Sequence, residues 1–157
     1  MSQASIQTAV TARQLVIGSI QAIPEEIYDI TPAGFNNTIR WNIGHIATML
    51  QWFLAAGTAL DTKLPDSYVG LFVTGTKPAD WSSAPPSKEE LVQSLSAQLH
   101  ELSNMDAELL NRPLAVPFEM GPLKFETAEE LFNFAFIHEA LHLGVISSFV
   151  KAIQAHH

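Results

Sequence analysis

Apolar residues recur with the period of an α-helix in four segments of the chain. They predict helices over about residues 5–22, 38–56, 87–109 and 127–153. The last two segments open with capping boxes, in which Ser87 pairs with Glu90 and Thr127 pairs with Glu130. Stop signals follow the first three segments, at Pro24, Gly57 and Pro113. We therefore predict an all-α fold, a four-helix bundle that forms a single domain over residues 1–157.

The connection between the second and third predicted helices is long and covers residues 57–86. Loops of that length inside a compact domain are usually functional or disordered. This crossover connection carries Tyr68, Phe72 and Trp81, so we expect it to pack on the bundle. It would be either a lid over a pocket between helices two and four or a cover for one end of the core. Strand signals are weak, apart from a possible hairpin at residues 117–125.

Composition narrows the class of protein. Hydrophobic residues make up 47% of the chain and charged residues 15%, which favours a folded domain. A net charge of −8, with only eight Lys and Arg, argues against a nucleic-acid partner. The most apolar stretch, residues 131–150, is interrupted by Asn133, His138, Glu139 and His142, which argues against a membrane span. With no secretory leader visible, we expect a soluble, cytoplasmic protein.

Histidines carry most of the chemical interest, because the chain has no cysteine. Residues 138–142 read "HEALH", which matches the HExxH motif of zinc proteases. Such a protease needs a third metal ligand further along the chain. No acidic residue follows Glu139, and the positions where one protease class requires Gly and His hold Val145 and Ser148. The sequence therefore argues against a protease.

A third ligand is available on the second predicted helix. His138 and His142 lie on a core-facing stripe of the last helix. His45 lies on the inner stripe of the second, with Trp41 and Trp52. His156 follows His142 by 14 residues, roughly 21 Å along a continued helix, so neither it nor His157 can join the pair. These two belong to a frayed terminus or a purification tag. Spacing alone leaves two alternatives open, three hydrogen-bonded core histidines or one divalent-metal site.

Two motifs give the chain a family resemblance. The segments "NTIRWNIGHI" at 37–46 and "HEALHLGVI" at 138–146 resemble those of the DinB/YfiT-like family of metal-binding four-helix bundles. The positions that match are Trp41, Gly44, His45, His138, His142 and Gly144. The resemblance implies that His45, His138 and His142 ligate one divalent ion, most readily Zn²⁺ or Ni²⁺. It also implies a low-molecular-weight thiol of the bacillithiol type as cofactor, because the family includes transferases that use such thiols.

Three functions remain open at this point. Three protein ligands with open positions are typical of a catalytic metal, which favours a thiol transferase acting on a small electrophilic substrate. The alternatives are a hydrolase with Glu139 as the catalytic base, and a bundle that holds metal without catalysis. Arg13 lies in the apolar stripe of the first helix. It either neutralises Glu139, binds an anionic substrate or cofactor, or extends along the edge of the stripe to solvent. Asn42 and Glu139 are candidates for orienting the histidines.

The last helix is apolar on more than one face. A second stripe is formed by Phe132, Phe136, Leu143, Ile146 and Val150. We predict a homodimer that uses this stripe, although burial within one chain would explain it too. Gly44 and Gly144 lie inside predicted helices, where glycine is costly. They predict close approaches of other elements, for Gly44 beside His45.

Overall fold

The computed structural model of the chain describes residues 2–156. It contains five α-helices and two β-strands: α1 Ser2–Ala22, α2 Ile39–Thr58, α3 Ser67–Phe72, α4 Lys88–Ser103, β1 Pro113–Met120, β2 Leu123–Thr127 and α5 Ala128–Ala155. Short 3₁₀ turns cover Glu25–Ile27, Pro78–Asp80 and Ala107–Asn111. Helices account for 66% of the chain, so the prediction of a mostly helical protein is confirmed.

The predicted all-α class with four helices needs two corrections. The chain has a fifth, short helix, α3, and a two-stranded antiparallel sheet in which Phe118 pairs with Phe125. The sheet follows from Gly121, whose positive φ of 56° lets the chain turn tightly between β1 and β2. The hairpin predicted at 117–125 is therefore present, but it begins earlier, at Pro113.

The predicted starts of the helices at 38, 87 and 127 agree with the structure to within one residue, whereas α1 begins three residues earlier than predicted, at Ser2. Both capping boxes form, with the Ser87 hydroxyl accepting from the Glu90 amide and the Thr127 hydroxyl accepting from the Glu130 amide. Thr38 caps α2 in the same way. The third predicted helix is too long, because α4 ends at Ser103 and Leu109, at the predicted end, lies in the separate 3₁₀ turn.

The long helices pack side by side around the core. Helix α2 contacts α5 and α4, while α1 contacts α4 and α5. Three residues of the second apolar stripe of α5, Phe132, Phe136 and Ile146, are buried inside the chain, while Leu143 and Val150 are half-buried. The three buried residues are therefore not free to form the predicted dimer interface, and the homodimer stays a prediction. A Cβ at Gly144 would meet nothing within 4 Å outside its own helix in residues 2–156, so the close approach expected there is wrong.

The crossover connection packs on α2 and α4, as expected from its aromatic residues. Tyr68 and Phe72 are buried and Trp81 is half-buried. The Phe72 ring makes edge contacts with Tyr68 at 5.3 Å and with Trp81 at 5.7 Å between ring centroids. The Tyr68 hydroxyl shares a hydrogen bond with Ser94 of α4. The role of the crossover connection as a lid stays a prediction. The single domain over residues 1–157 also stays a prediction.

Within the described residues, α5 is the one helix long and apolar enough to cross a membrane. Length and composition alone are weak evidence, because core helices of soluble proteins pass the same test. Here α5 packs against α1 and α2 and carries Glu139 in a buried ion pair. No membrane is indicated, and the cytoplasmic location stays a prediction.

Candidate metal centre

The three histidines singled out from the sequence lie together between α2 and α5. Their ligand nitrogens all lie within 4.8 Å of one another. His138 and His142 are one turn apart on α5, and His45 faces them from α2. The Nε2 atoms of His45 and His138 are 3.2 Å apart. Nitrogens bound about 2.0–2.1 Å from a tetrahedral ion are about 3.4 Å apart, so this cluster suits one small divalent ion.

A backbone carbonyl orients His45. The Nδ1 atom of His45 lies 2.7 Å from the carbonyl oxygen of Phe72, the last residue of α3. A carbonyl can only accept a hydrogen bond, so Nδ1 carries the proton and donates it. The lone pair is therefore on Nε2, the atom that faces His138. The buried ring of His45, 3% exposed, is held in the tautomer that a metal ligand needs.

An asparagine orients His142 in the same way. The Nδ1 atom of His142 lies 2.8 Å from Oδ1 of Asn42. The amide nitrogen of Asn42 donates to the carbonyl of Thr38 at 2.8 Å and to Oδ1 of Asn37 at 3.2 Å. These two bonds fix which end of the amide faces His142, so Oδ1 accepts the Nδ1 proton. The expectation that Asn42 orients a histidine agrees with this geometry. Within residues 2–156, no hydrogen bond reaches Nδ1 of His138.

The cluster is kept uncharged at neutral pH. Burial lowers the pKa of His45. Burial, followed by the charge of His45, lowers the pKa of His138 to about 4. Burial and then the neighbouring His45 and His138 lower the pKa of His142 to about 3. Since metals bind neutral imidazole, all three side chains are in the ligating form near pH 7.

Aromatic rings line the cluster. Trp41 stacks on His45 with 4.5 Å between ring centroids and 15° between planes. Phe53 and Phe134 contact His138 at centroid distances of 5.8 and 6.4 Å. Such walls limit access of water and strengthen electrostatic interactions at the cluster.

The structure pairs the other two candidate residues with each other. Nε of Arg13 donates to Oε1 of Glu139 at 2.7 Å, and Nη2 donates to Oε2 at 3.0 Å. Arg13 is 0% exposed and Glu139 is 1% exposed. Of the three alternatives for Arg13, neutralisation of Glu139 is the one observed. No hydrogen bond in the described chain joins either residue to a histidine of the cluster, so nothing in this geometry supports a catalytic Glu139 or a cofactor-binding Arg13. Those two roles stay predictions.

Sequence inspection missed Gln98, which completes this buried network. Its Oε1 accepts from Nη1 of Arg13 at 2.8 Å, and its amide nitrogen donates to the Ala47 carbonyl and to Thr62. Gln98 is 0% exposed on α4. A signal was present, because positions 91, 95, 98 and 102 form a helical stripe in which Gln98 replaces an apolar residue.

The remaining histidines lie elsewhere. His100 is exposed on α4, where it lies beside the stripe at positions 91, 95, 98 and 102 and not on it. His156 is exposed at the end of α5, and His157 lies outside the described residues.

Comparisons with known proteins agree with this architecture. A solved structure of a conserved protein from Enterococcus faecalis matches 99% of this chain and 98% of its own, with a TM-score of 0.62 and 18% identity. At that identity the likeness shows a shared fold alone. No curated protein matches the chain. The family model of the DinB superfamily matches residues 8–146, which include all three histidines of the cluster. The chain therefore belongs to the DinB superfamily.

Proposed function

We propose that this protein is a divalent-metal enzyme in which His45, His138 and His142 hold one Zn²⁺ or Ni²⁺ ion. One observation carries the proposal. The backbone carbonyl of Phe72 accepts the Nδ1 proton of His45, and Oδ1 of Asn42 accepts that of His142. The lone pairs of both Nε2 atoms are therefore free to bind a metal. His45 is buried and the other two imidazoles are half-buried, and depressed pKa values keep all three neutral, as metal ligands must be.

The chemistry follows from the number of ligands. No carboxylate within residues 2–156 forms a hydrogen bond with the three histidines, and the cluster contains three ligand residues. Three protein ligands are typical of catalytic sites, whereas structural zinc sites usually have four. A bound divalent ion acts as a Lewis acid that lowers the pKa of a substrate occupying its open position.

The ion pair of Glu139 supports a thiol rather than water as the nucleophile. A hydrolase of the HExxH type needs a free glutamate as general base. Here both carboxylate oxygens of Glu139 accept hydrogen bonds from Arg13. A thiol does not require such a base, because it is far more acidic than water. We therefore favour a transferase that uses a low-molecular-weight thiol.

The proposed reaction joins the thiol sulfur to an electrophilic carbon of a small substrate. The sulfur–carbon bond forms as the bond from that carbon to its leaving group breaks, and the thiol proton leaves with the displaced group. Residues of this chain hold the three imidazoles in position, through Phe72 and Asn42, and exclude water through Trp41, Phe53 and Phe134.

Metal content is the first test. Tag-free protein purified without chelators should contain near one equivalent of metal by elemental analysis. His142→Ala should lose it, whereas the matched control His100→Ala, on the exposed face of α4, should retain it. Parent protein that takes up no zinc or nickel, even when these ions are added, would refute the metal centre.

Thiol binding is the second test. Cobalt-substituted protein should gain a sulfur-to-cobalt charge-transfer band when a low-molecular-weight thiol is added, and should join that thiol to a chromogenic aryl halide. Ester hydrolysis without thiol turnover would instead favour the hydrolase. A rise in melting temperature with metal, but no turnover of either kind, would favour a non-catalytic role.

A further inference from the structure

A mostly apolar pocket of about 320 Å³ lies along α2. One wall is formed by α2 residues that include Met49 and Trp52, and the other by the crossover connection, including Leu64, Val69 and Val73. Its volume falls at the lower end of the range of small-molecule sites.

None of the three histidines lines the pocket, but two of its lining residues, Met49 and Val73, lie close to His45 or its hydrogen-bond partner along the chain. Met49 follows His45 by four residues, one turn of α2, and residues at that spacing are about 5–6 Å apart. Val73 directly follows Phe72, whose carbonyl orients His45. The hydroxyl of Thr74 donates to the Met49 sulfur at 3.8 Å, which ties the two walls together near the cluster. A molecule that contacts Met49 would therefore lie about one turn of α2 from His45, a proposed metal ligand.

Two large apolar side chains of the pocket are open to solvent. Trp52 is 42% exposed and Val69 is 61% exposed, although the sequence predicts Trp52 on the inner face of its helix. Leaving apolar area in water forgoes about 25 cal/mol per Å² of stabilisation. An indole beside an open apolar pocket provides a surface on which a planar or cationic group stacks favourably.

The charges at the pocket have one sign. Asp61 and Asp66 line it, both exposed, and no Lys or Arg is among its lining residues. The amide of Lys63 donates to Asp61, but its ammonium is not part of the lining. The whole chain carries a net charge of −8. The electrostatic field of these negative charges repels anions and favours cations.

We propose that this pocket binds the electrophilic substrate of the histidine centre, an apolar small molecule without an anionic group, bound most tightly when it carries an amine. The apolar body packs between Met49, Trp52 and Val69, while the amine faces Asp61 and Asp66. Assignment to the substrate rests on the proposed function, whereas occupancy of the pocket does not require a metal.

Three probes of matched shape test the charge preference: phenylpropylamine, phenylpropanol and phenylpropionate. Isothermal titration should show the amine binding tightest and the carboxylate at least about tenfold weaker than the amine, a difference of about 1.4 kcal/mol. Asp66→Lys should reduce or reverse this order, and Asp66 makes no side-chain cap to α3 that the change would remove. Equal binding of amine and carboxylate by the parent would overturn the proposal.

A larger side chain in the pocket tests whether phenylpropylamine binds there. Val69→Trp should weaken phenylpropylamine binding at least tenfold, because the new indole occupies the pocket. Val116→Trp is the matched control, at a valine of β1 that is 78% exposed and not part of the pocket lining. Both variants should keep the parent's metal content. Unchanged binding by Val69→Trp would overturn the proposal.

Two further measurements separate this proposal from the proposed function. Phenylpropylamine should change the spectrum of cobalt-substituted protein, and an unchanged spectrum despite binding would overturn the assignment to the substrate. His142→Ala should bind the probe as the parent does. If the parent binds the probe but no metal, the proposed metal centre is refuted and the proposed ligand pocket is not. If the parent binds metal but no probe, only the proposed ligand pocket is refuted.

Discussion

Substitution of Gly44 by alanine tests how the fold positions His45. A Cβ at Gly44 would lie 2.5 Å from three ring carbons of Phe72. Carbon atoms in contact are ordinarily 3.5–4.0 Å apart, so the ring would have to move by at least about 1 Å. Phe72 is 0% exposed and held by Tyr68 and Trp81, which leaves the ring little space to rotate away. The α3 backbone would therefore move with it.

That movement acts on the hydrogen bond of His45. The bond from Nδ1 to the Phe72 carbonyl is 2.7 Å long, and a shift of about 1 Å along it would exceed hydrogen-bond range. Loss of a partner that orients a ligand typically lowers metal affinity by about 10–100-fold. Overpacking costs about 1–3 kcal/mol of stability, offset by up to about 1 kcal/mol from replacing a helical glycine. The variant should fold, but bind metal more weakly.

Chelator competition measures this affinity, with circular dichroism as a check on folding. Gly18→Ala is the matched control, because Gly18 lies in α1 and a Cβ there would meet nothing within 4 Å. It should keep the parent's metal affinity. Removing the ring as well, in Gly44→Ala with Phe72→Ala, should recover part of the affinity because the carbonyl can return to His45. Folded Gly44→Ala with the parent's affinity would refute the reasoning.

The remaining predictions concern Asn42, which orients His142, the protonation of the histidine cluster, and the ion pair of Arg13 with Glu139. Asn42→Ala should lower metal affinity by about 10–100-fold, and calorimetry showing no change would contradict the role given to its amide. Metal-free protein should lose stability as pH falls from about 6.5 towards 4, because the pKa of His138 (about 4) and that of His142 (about 3) lie below the ordinary histidine value of about 6.5, so the unfolded chain binds more protons. Urea midpoints at pH 7 and pH 5 check this, and a midpoint that is higher at pH 5 would contradict it. Arg13→Met should cost about 3–5 kcal/mol by leaving Glu139 buried and unpaired, and adding Glu139→Met should recover most of that loss in urea unfolding.

The sequence predicted the parts that depend on local pattern. Helix starts follow from short-range capping by Ser87 and Thr127, and both boxes form as expected. The spacing of His138 and His142 puts both on one helical face, and the placement of His45 on an inner stripe follows from the same period. Each of these properties is set within a few residues along the chain.

Properties that depend on tertiary packing were not predictable in this way. The oxygen that orients His45 belongs to the backbone of Phe72, and every residue type offers the same carbonyl. Only the docking of α3 on Gly44 brings it within reach. The exposure of Trp52 likewise depends on what covers α2 near its end. The apolar stripe of α5 was ambiguous, because a homodimer interface and a monomer core are both largely apolar.

The ion pair of Arg13 with Glu139 also constrains the order in which the protein can be assembled during translation. The partners are separated by 126 residues, with Arg13 on the first helix and Glu139 on the last. At about 5–20 residues per second, the ribosome needs roughly 6–25 s to make the second after the first. Until then α1 cannot bury its guanidinium, because an unpaired buried charge is too costly. Limited proteolysis of ribosome-bound chains that stop before residue 128 should cleave α1 readily, and protection there would contradict this order. We therefore expect nascent α1 to remain solvated until α5 has been made.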